Sequence, residues 1–203
     1  MTNHSRQTFV FKVTLRHIKP SIWRRIEVPA TYTFWDLHVA IQDAMGWLDC
    51  HLHRFDLHDR STGAIAKVGV PDPYEPLIGR RALPGWEVPL TGYLQYPDLM
   101  IDYTYDFGDN WEHRVVLETT GIRDGRLTYP RCLAGARASP PEDCGGHPGY
   151  DQLVRAIADL EHPSAEEPRG WVGQSFNPEA FDAARVEFAD PAARWRTAFA
   201  EEE

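Results

Sequence analysis

The stretch Ile101-Asp102-Tyr103-Thr104-Tyr105-Asp106-Phe107-Gly108-Asp109-Asn110-Trp111-Glu112-His113-Arg114-Val115-Val116-Leu117 carries apolar residues at every second position on both sides of a glycine. Ile101, Tyr103 and Tyr105 run into the centre, and Trp111, His113, Val115 and Leu117 run out of it. This period of two is the signature of paired strands, so the spacing predicts a hairpin with Gly108-Asp109 at its tip. Glycine supplies the positive backbone angle that such a turn needs, and the flanking aspartates can bond the turn's own amides. Asp106 and Asp109 therefore serve either the turn itself or a ligand.

Working upstream, Phe9, Phe11, Val13 and Leu15 alternate with more polar residues, Pro20 marks a turn, and Ile22, Arg24, Ile26 and Val28 oppose Trp23, Arg25 and Glu27 before Pro29. Thr33 and Asp36 form a capping box for a helix with Leu37, Ala40, Ile41, Ala44 and Met45 on one stripe, closed by Gly46. A third strand is expected from Cys50 to His58. The order strand, strand, helix, strand suits a β-grasp-like N-terminal half. Arg60 to Pro97 is rich in proline and glycine without sustained periodicity, and reads as an ordered loop or insertion.

Downstream, Tyr150, Leu153, Val154, Ile157 and Leu160 mark an amphipathic helix. Asn177 with Pro178 predicts another, with Phe181, Ala184 and Phe188 buried. The fold class is α+β: a mixed or antiparallel sheet with a β-grasp-like N-terminal half, a second hairpin and C-terminal helices. Residues 1–188 read as one domain and 189–203 as an acidic tail or short helix.

With 203 residues, 42% hydrophobic and 12% aromatic, the chain can bury a core. Its net charge of −9 disfavours a nucleic-acid partner, because phosphate attraction would have to come from a local patch. Met1 to Gln7 is polar, and no run approaches the length that spans a bilayer. Three cysteines, Cys50, Cys132 and Cys144, are an odd count in a chain that needs no staples, which fits a reducing compartment. A soluble, cytoplasmic protein without membrane contact is the expectation.

The hairpin, the upstream block Ile18-Lys19-Pro20-Ser21-Ile22-Trp23-Arg24-Arg25-Ile26-Glu27-Val28-Pro29 and the downstream block Pro140-Pro141-Glu142-Asp143-Cys144-Gly145-Gly146 stand in the order of the plasmid pRiA4b ORF-3-like family. The chain resembles that family from roughly Phe9 to Phe188. The resemblance implies an α+β domain of unsettled activity, with some relatives carried by plasmids and insertion elements and a few labelled resolvases. Resolvase chemistry needs an activated serine in an arginine cluster and a basic helix-turn-helix, and neither is evident here. Trp23-Arg24-Arg25 is the only aromatic-basic cluster near a strand, and a cation-π contact explains it more simply than stacking on nucleic acid.

His51 and His53 lie two apart on the expected third strand, and His113 lies on the face of Trp111. If the strands are neighbours, the three imidazoles could hold zinc or iron with Asp106 or Asp109 nearby, and the plainer reading has them bonding carbonyls or the turn aspartates. Cys132, Cys144 and His147 form a second candidate metal set, weakened by the long gap between the cysteines and by Ser139, which stands where many relatives carry a further cysteine. Glu142 and Asp143 could be an acid/base pair, or could bond backbone amides in their loop. No nucleotide-binding glycine loop, nucleophile elbow or His-Glu-x-x-His motif occurs.

The sequence therefore reads as a non-catalytic binding module, with no cofactor predicted, for an unidentified protein or small ligand. Its candidate surface is Asp106, Asp109, Trp111, His113, His51, His53, Glu142 and Asp143. The alternatives are a metal-dependent enzyme using a His/Asp cluster and a DNA-associated accessory protein. The hairpin tip and the Glu142-Asp143 loop are expected to share one surface.

Overall fold

The computed structural model describes residues 4–59, 61–71, 81–94, 99–158 and 176–199. The alternation of the first block builds β1 (Gln7–Leu15) and β2 (Trp23–Pro29), an antiparallel pair in which Phe11 faces Ile26 and Val13 faces Arg24. Helix α1 (Phe34–Met45) starts at the expected capping box: the Thr33 amide donates to Asp36 Oδ2 at 2.8 Å and the Asp36 amide to Thr33 Oγ1 at 3.2 Å. It ends at Gly46, whose φ of 82° reverses the chain into Trp47.

The chain continues through β3 (His53–Asp59), β4 (Ile65–Gly69) and β5 (Leu83–Pro84). The hairpin follows as β6 (Leu99–Tyr105) and β7 (Trp111–Ile122), then β8 (Arg131–Ala136), α2 (Gly146–Ala158) and α3 (Pro191–Phe199). The described strands make one eight-stranded sheet in the order β5-β4-β3-β6-β7-β1-β2-β8, antiparallel except for β4 with β5. The fold is α+β. Strand, strand, helix, strand is the order of the N-terminal half, but β6 and β7 lie between β3 and β1 in the sheet. The later hairpin is thus the centre of the fold.

Leu37, Ile41 and Met45 of α1 lie in one buried cluster with Phe11, Ile26, Phe55, Tyr103 and Val115 of the sheet. A fully buried arginine joins the two layers. Arg24 donates from Nε to the Ala44 carbonyl at 2.7 Å, from Nη1 to Trp23 and Ala136 carbonyls, and from Nη2 to Ser139 Oγ at 3.0 Å. A cation at the last carbonyls of α1 meets the negative end of the helix dipole. On the opposite face Lys12 and Arg25 lie over the Trp23 ring and Arg25 pairs with Glu118, so the Trp23-Arg24-Arg25 cluster is held within the protein.

Two local expectations fail for identifiable reasons. Within the stretch read as a loop, Ile65–Gly69 pairs with β3, because the partner strand supplies order that its own pattern does not announce. Of that stretch, residues 60, 72–80 and 95–98 lie outside the described residues, as do Leu160 and the acidic Glu201–Glu203. The helix expected at Pro178 is not formed. Asn177 Oδ1 caps a turn through the Glu179 amide, and the Phe181 ring lies 3.7 Å from the Arg24 guanidinium. Only Ala183–Arg185 closes a single 3-10 turn.

Candidate functional site

One end of the sheet gathers three segments: the turn between α1 and β3, the β6–β7 tip, and the loop between β8 and α2. Direct bonds tie them together. The Asp106 amide donates to the Leu52 carbonyl at 2.9 Å, joining tip to turn. Glu142 accepts from the Leu48 amide at 2.7 Å and from the Tyr105 hydroxyl at 3.0 Å, and that hydroxyl accepts from the Cys50 amide at 3.1 Å. Asp109 Oδ2 accepts from the Gly145 amide at 3.1 Å, and the Trp47 indole donates to the Pro140 carbonyl at 2.8 Å. The approach of tip and loop requires glycine: at Gly146, with φ 65°, a Cβ would stand 2.7 Å from the Asp109 carbonyl oxygen. The tip and the Glu142-Asp143 loop are therefore neighbours.

The tip turns differently from its expected form. The positive φ values belong to Asp106 (54°) and Asn110 (56°), not to Gly108. Aspartate and asparagine tolerate this region because their short side chains bond locally, and Asp106 Oδ1 does so, accepting from the Gly108 amide at 2.8 Å.

The three histidines do not converge. The chain enters β3 only at His53, after a turn in which Asp49 has φ 59°, so His51 and His53 are not successive residues on one strand face. His51 stays at the rim, where Nε2 lies 2.9 Å from Asp143 Oδ1 and 3.7 Å from Asp106 Oδ2. His53 goes inward and stacks on His38 of α1, with ring centroids 3.4 Å apart and planes within 10°. His113 is buried in the sheet. Its Nδ1 donates to the Tyr103 carbonyl at 3.3 Å, which leaves the lone pair on Nε2 without a partner.

Trp111 and His113, both placed on the candidate surface by the sequence, are fully buried and belong to the core. The open space lies alongside instead. A groove of about 490 Å³ runs between Gly46-Trp47 and the Ser139–Asp143 loop, bounded by Phe176. Among the described residues, Cys132, Cys144 and His147 do not form a set within mutual ligand range. Cys132 faces Ile26 across β8 and β2, its thiol turned to the Ala134 carbonyl, whereas Cys144 belongs to the loop. Burial, with Asp109 adding to it, pushes the Cys144 thiol up to about 12, so the metal-free thiol stays protonated at neutral pH.

Beneath the rim runs a buried relay that the sequence reading missed. Gln42 Nε2 donates to the Tyr103 hydroxyl at 2.8 Å, which donates to His38 Nδ1 at 2.9 Å, and His38 Nε2 donates to Asp49 Oδ1 at 2.7 Å. Arg194 of α3 reaches Asp49 Oδ2 at 3.7 Å and Asp43 at 2.7 Å. Burial drives His38 and His53 well below the usual imidazole range, and His113 down to about 3, so all are neutral. The missed signal was a polar pair four residues apart, His38 and Gln42, in an otherwise apolar stretch of helix.

Among the described residues, histidine, carboxylate and cysteine side chains come within mutual ligand range in three sets: His38-Asp49-His53, His51-Asp106-Asp143 and Cys50-His51-Glu142. In the first set the rings lie parallel, so their in-plane lone pairs cannot both point at one ion, and the set works as a hydrogen-bond relay. The second set has no such conflict.

Residues 7–185 match the family model described as plasmid pRiA4b ORF-3-like protein. The chain belongs to the plasmid pRiA4b ORF-3-like family. Among its relatives, uncharacterized protein y4hQ of Sinorhizobium fredii (strain NBRC 101917 / NGR234) is 35% identical over 194 residues, covering 91% of this chain and 92% of that protein. The crystal structure of the protein of unknown function MM3350 from Methanosarcina mazei Go1 is similar at a TM-score of 0.80 and 39% identity, covering 90% of this chain and 99% of that one. For this pRiA4b ORF-3-like chain, no helix among the described residues is long and apolar enough to cross a membrane.

Proposed function

We propose that this protein is a binding module, and that its recognition surface is the end of the sheet where the turn 48–52, the tip 106–110 and the loop 140–145 meet. The observation that carries this reading is the composition of that end. Leu48, Leu52 and Phe107 are 78%, 53% and 50% exposed there, around the His51, Asp106 and Asp143 side chains. Apolar side chains gathered around a few polar groups suit a docking patch, in which burial supplies affinity and the polar centre supplies orientation. A partner protein offering apolar side chains fits this surface. Nucleic acid does not, given the net charge of −9 and the internal pairing of Arg24 and Arg25.

A photoreactive benzoylphenylalanine placed at position 107, compared with one at Val116 on the outer face of β7, tests the surface. In cells expressing the full chain, irradiation is expected to give a discrete cross-linked species from position 107 and none from 116. Equal products from both positions, or none from 107, would reject the surface.

A further inference from the structure

We infer that a divalent first-row transition-metal ion is held at the rim by His51, Asp106 and Asp143. The inference deepens the binding reading, since the ion would sit at the centre of the proposed surface and rests on that reading for its role.

The first support is the spacing of the three donors. Their ligand atoms lie within 4.8 Å of one another, with His51 Nε2 2.9 Å from Asp143 Oδ1 and 3.7 Å from Asp106 Oδ2. Nitrogen and oxygen ligands bonded to one ion at about 2.0 to 2.2 Å stand roughly 3.0 to 3.5 Å apart, and the observed separations bracket that range.

The second support is independent of spacing. His51 Nε2 is shielded from solvent and makes no hydrogen bond, although Asp143 Oδ1 is only 2.9 Å away, so that oxygen lies off the direction of a ring N–H. Asp106 is more than nine-tenths buried. One of its oxygens is occupied by the Gly108 amide, and the other points toward His51 at 3.7 Å, beyond hydrogen-bond range. A shielded imidazole nitrogen and an oxygen of a buried aspartate thus lie near each other without bonding each other. A metal ion approaches such atoms at about 2.1 Å, closer than a water molecule can.

Donor chemistry sets the class of ion. One imidazole nitrogen with two carboxylate oxygens suits Zn²⁺, Mn²⁺ or Fe²⁺ and not the soft Cu⁺. Cys50 also lies within ligand range of His51. Asp143 is 67% exposed, so further coordination positions would open to solvent, where a donor from a partner could reach them.

The test uses the full chain without a polyhistidine tag, freed of metal by chelator and titrated with Zn²⁺ in a calorimeter. One ion per chain is expected. His51→Ala and Asp143→Asn should each weaken binding by more than about tenfold. Asp143 is exposed and has φ 53°, a conformation asparagine adopts readily, so Asp143→Asn should fold normally. His58→Ala, which breaks a histidine–carboxylate pair with Asp102 on the outer face, should leave the titration unchanged. No saturable binding, or equal binding by wild type and Asp143→Asn, would overturn the site. Zinc binding without a cross-link from position 107 would keep the ion and remove the partner surface. A cross-link in a chain that does not bind zinc would do the reverse.

Discussion

Trp111→Ala is expected to destabilise the fold by about 3 to 5 kcal/mol, the range for removing a buried aromatic from a packed core. Trp111 is fully buried at the first position of β7, pairs with Tyr105 across the hairpin, and packs near Trp47 and His147 with ring centroids 6.3 and 5.0 Å away. Removing the ring would open a cavity under all three segments of the proposed surface. The indole N–H, however, is buried without an acceptor. An unsatisfied buried donor costs about 1 to 3 kcal/mol, so Trp111→Phe, which deletes the donor and keeps most of the ring volume, should cost far less than Trp111→Ala. Urea unfolding followed by midpoint and slope would measure both. Equal losses in the two variants would mean that the indole nitrogen has a partner the geometry does not show.

Arg24→Met is expected to cost about 3 kcal/mol or more, despite replacing a buried charge by an apolar side chain of similar length. The cost comes from what is left behind. The carbonyls of Ala44, Trp23 and Ala136 and the Ser139 hydroxyl all receive hydrogen bonds from this one guanidinium, and each abandoned buried group costs about 1 to 3 kcal/mol. Burial opposes the charge, bringing the Arg24 guanidinium down to about 10, so it is still protonated at neutral pH, and relief of that desolvation offsets part of the loss. Thermal or urea unfolding measures the balance. A loss below about 1 kcal/mol would mean that methionine restores the contact between β2, β8 and the end of α1 by packing alone.

These two residues also show what was legible in the sequence. The hairpin containing Trp111, the capping box at Thr33 and the inward face of Leu37, Ile41 and Met45 could be read because each is a local pattern: a period, a cap or a turn. Arg24 stood at an inward position of its strand, yet its partners come from α1, β8 and the loop beyond, which no local pattern reveals. The same limit explains β4, whose order comes from pairing with β3, and the segment after Pro178, where Phe181 lies against Arg24 and a helix does not form.

At the candidate site, sequence spacing could place the Glu142-Asp143 loop and the tip among polar surface segments, and the structure puts them in contact. It could not tell that His51 and His53 separate, because that depends on β3 beginning two residues after His51. Nor could it find the His38-Asp49-Tyr103-Gln42 relay, whose members come from three elements and meet only when α1 lies on the sheet.

Native-state hydrogen exchange at the amides of Leu48, Gly108 and Gly145 tests most directly whether turn, tip and loop act as one surface. These amides, one in each segment, are held by Glu142, Asp106 and Asp109 respectively. In the unaltered chain all three should be protected. In Glu142→Ala, which removes the bonds to the Leu48 amide and the Tyr105 hydroxyl, protection should fall at all three together, as in a single cooperative unit. Loss of protection at Leu48 alone, with Gly108 and Gly145 unchanged, would show three independent turns and contradict a shared surface.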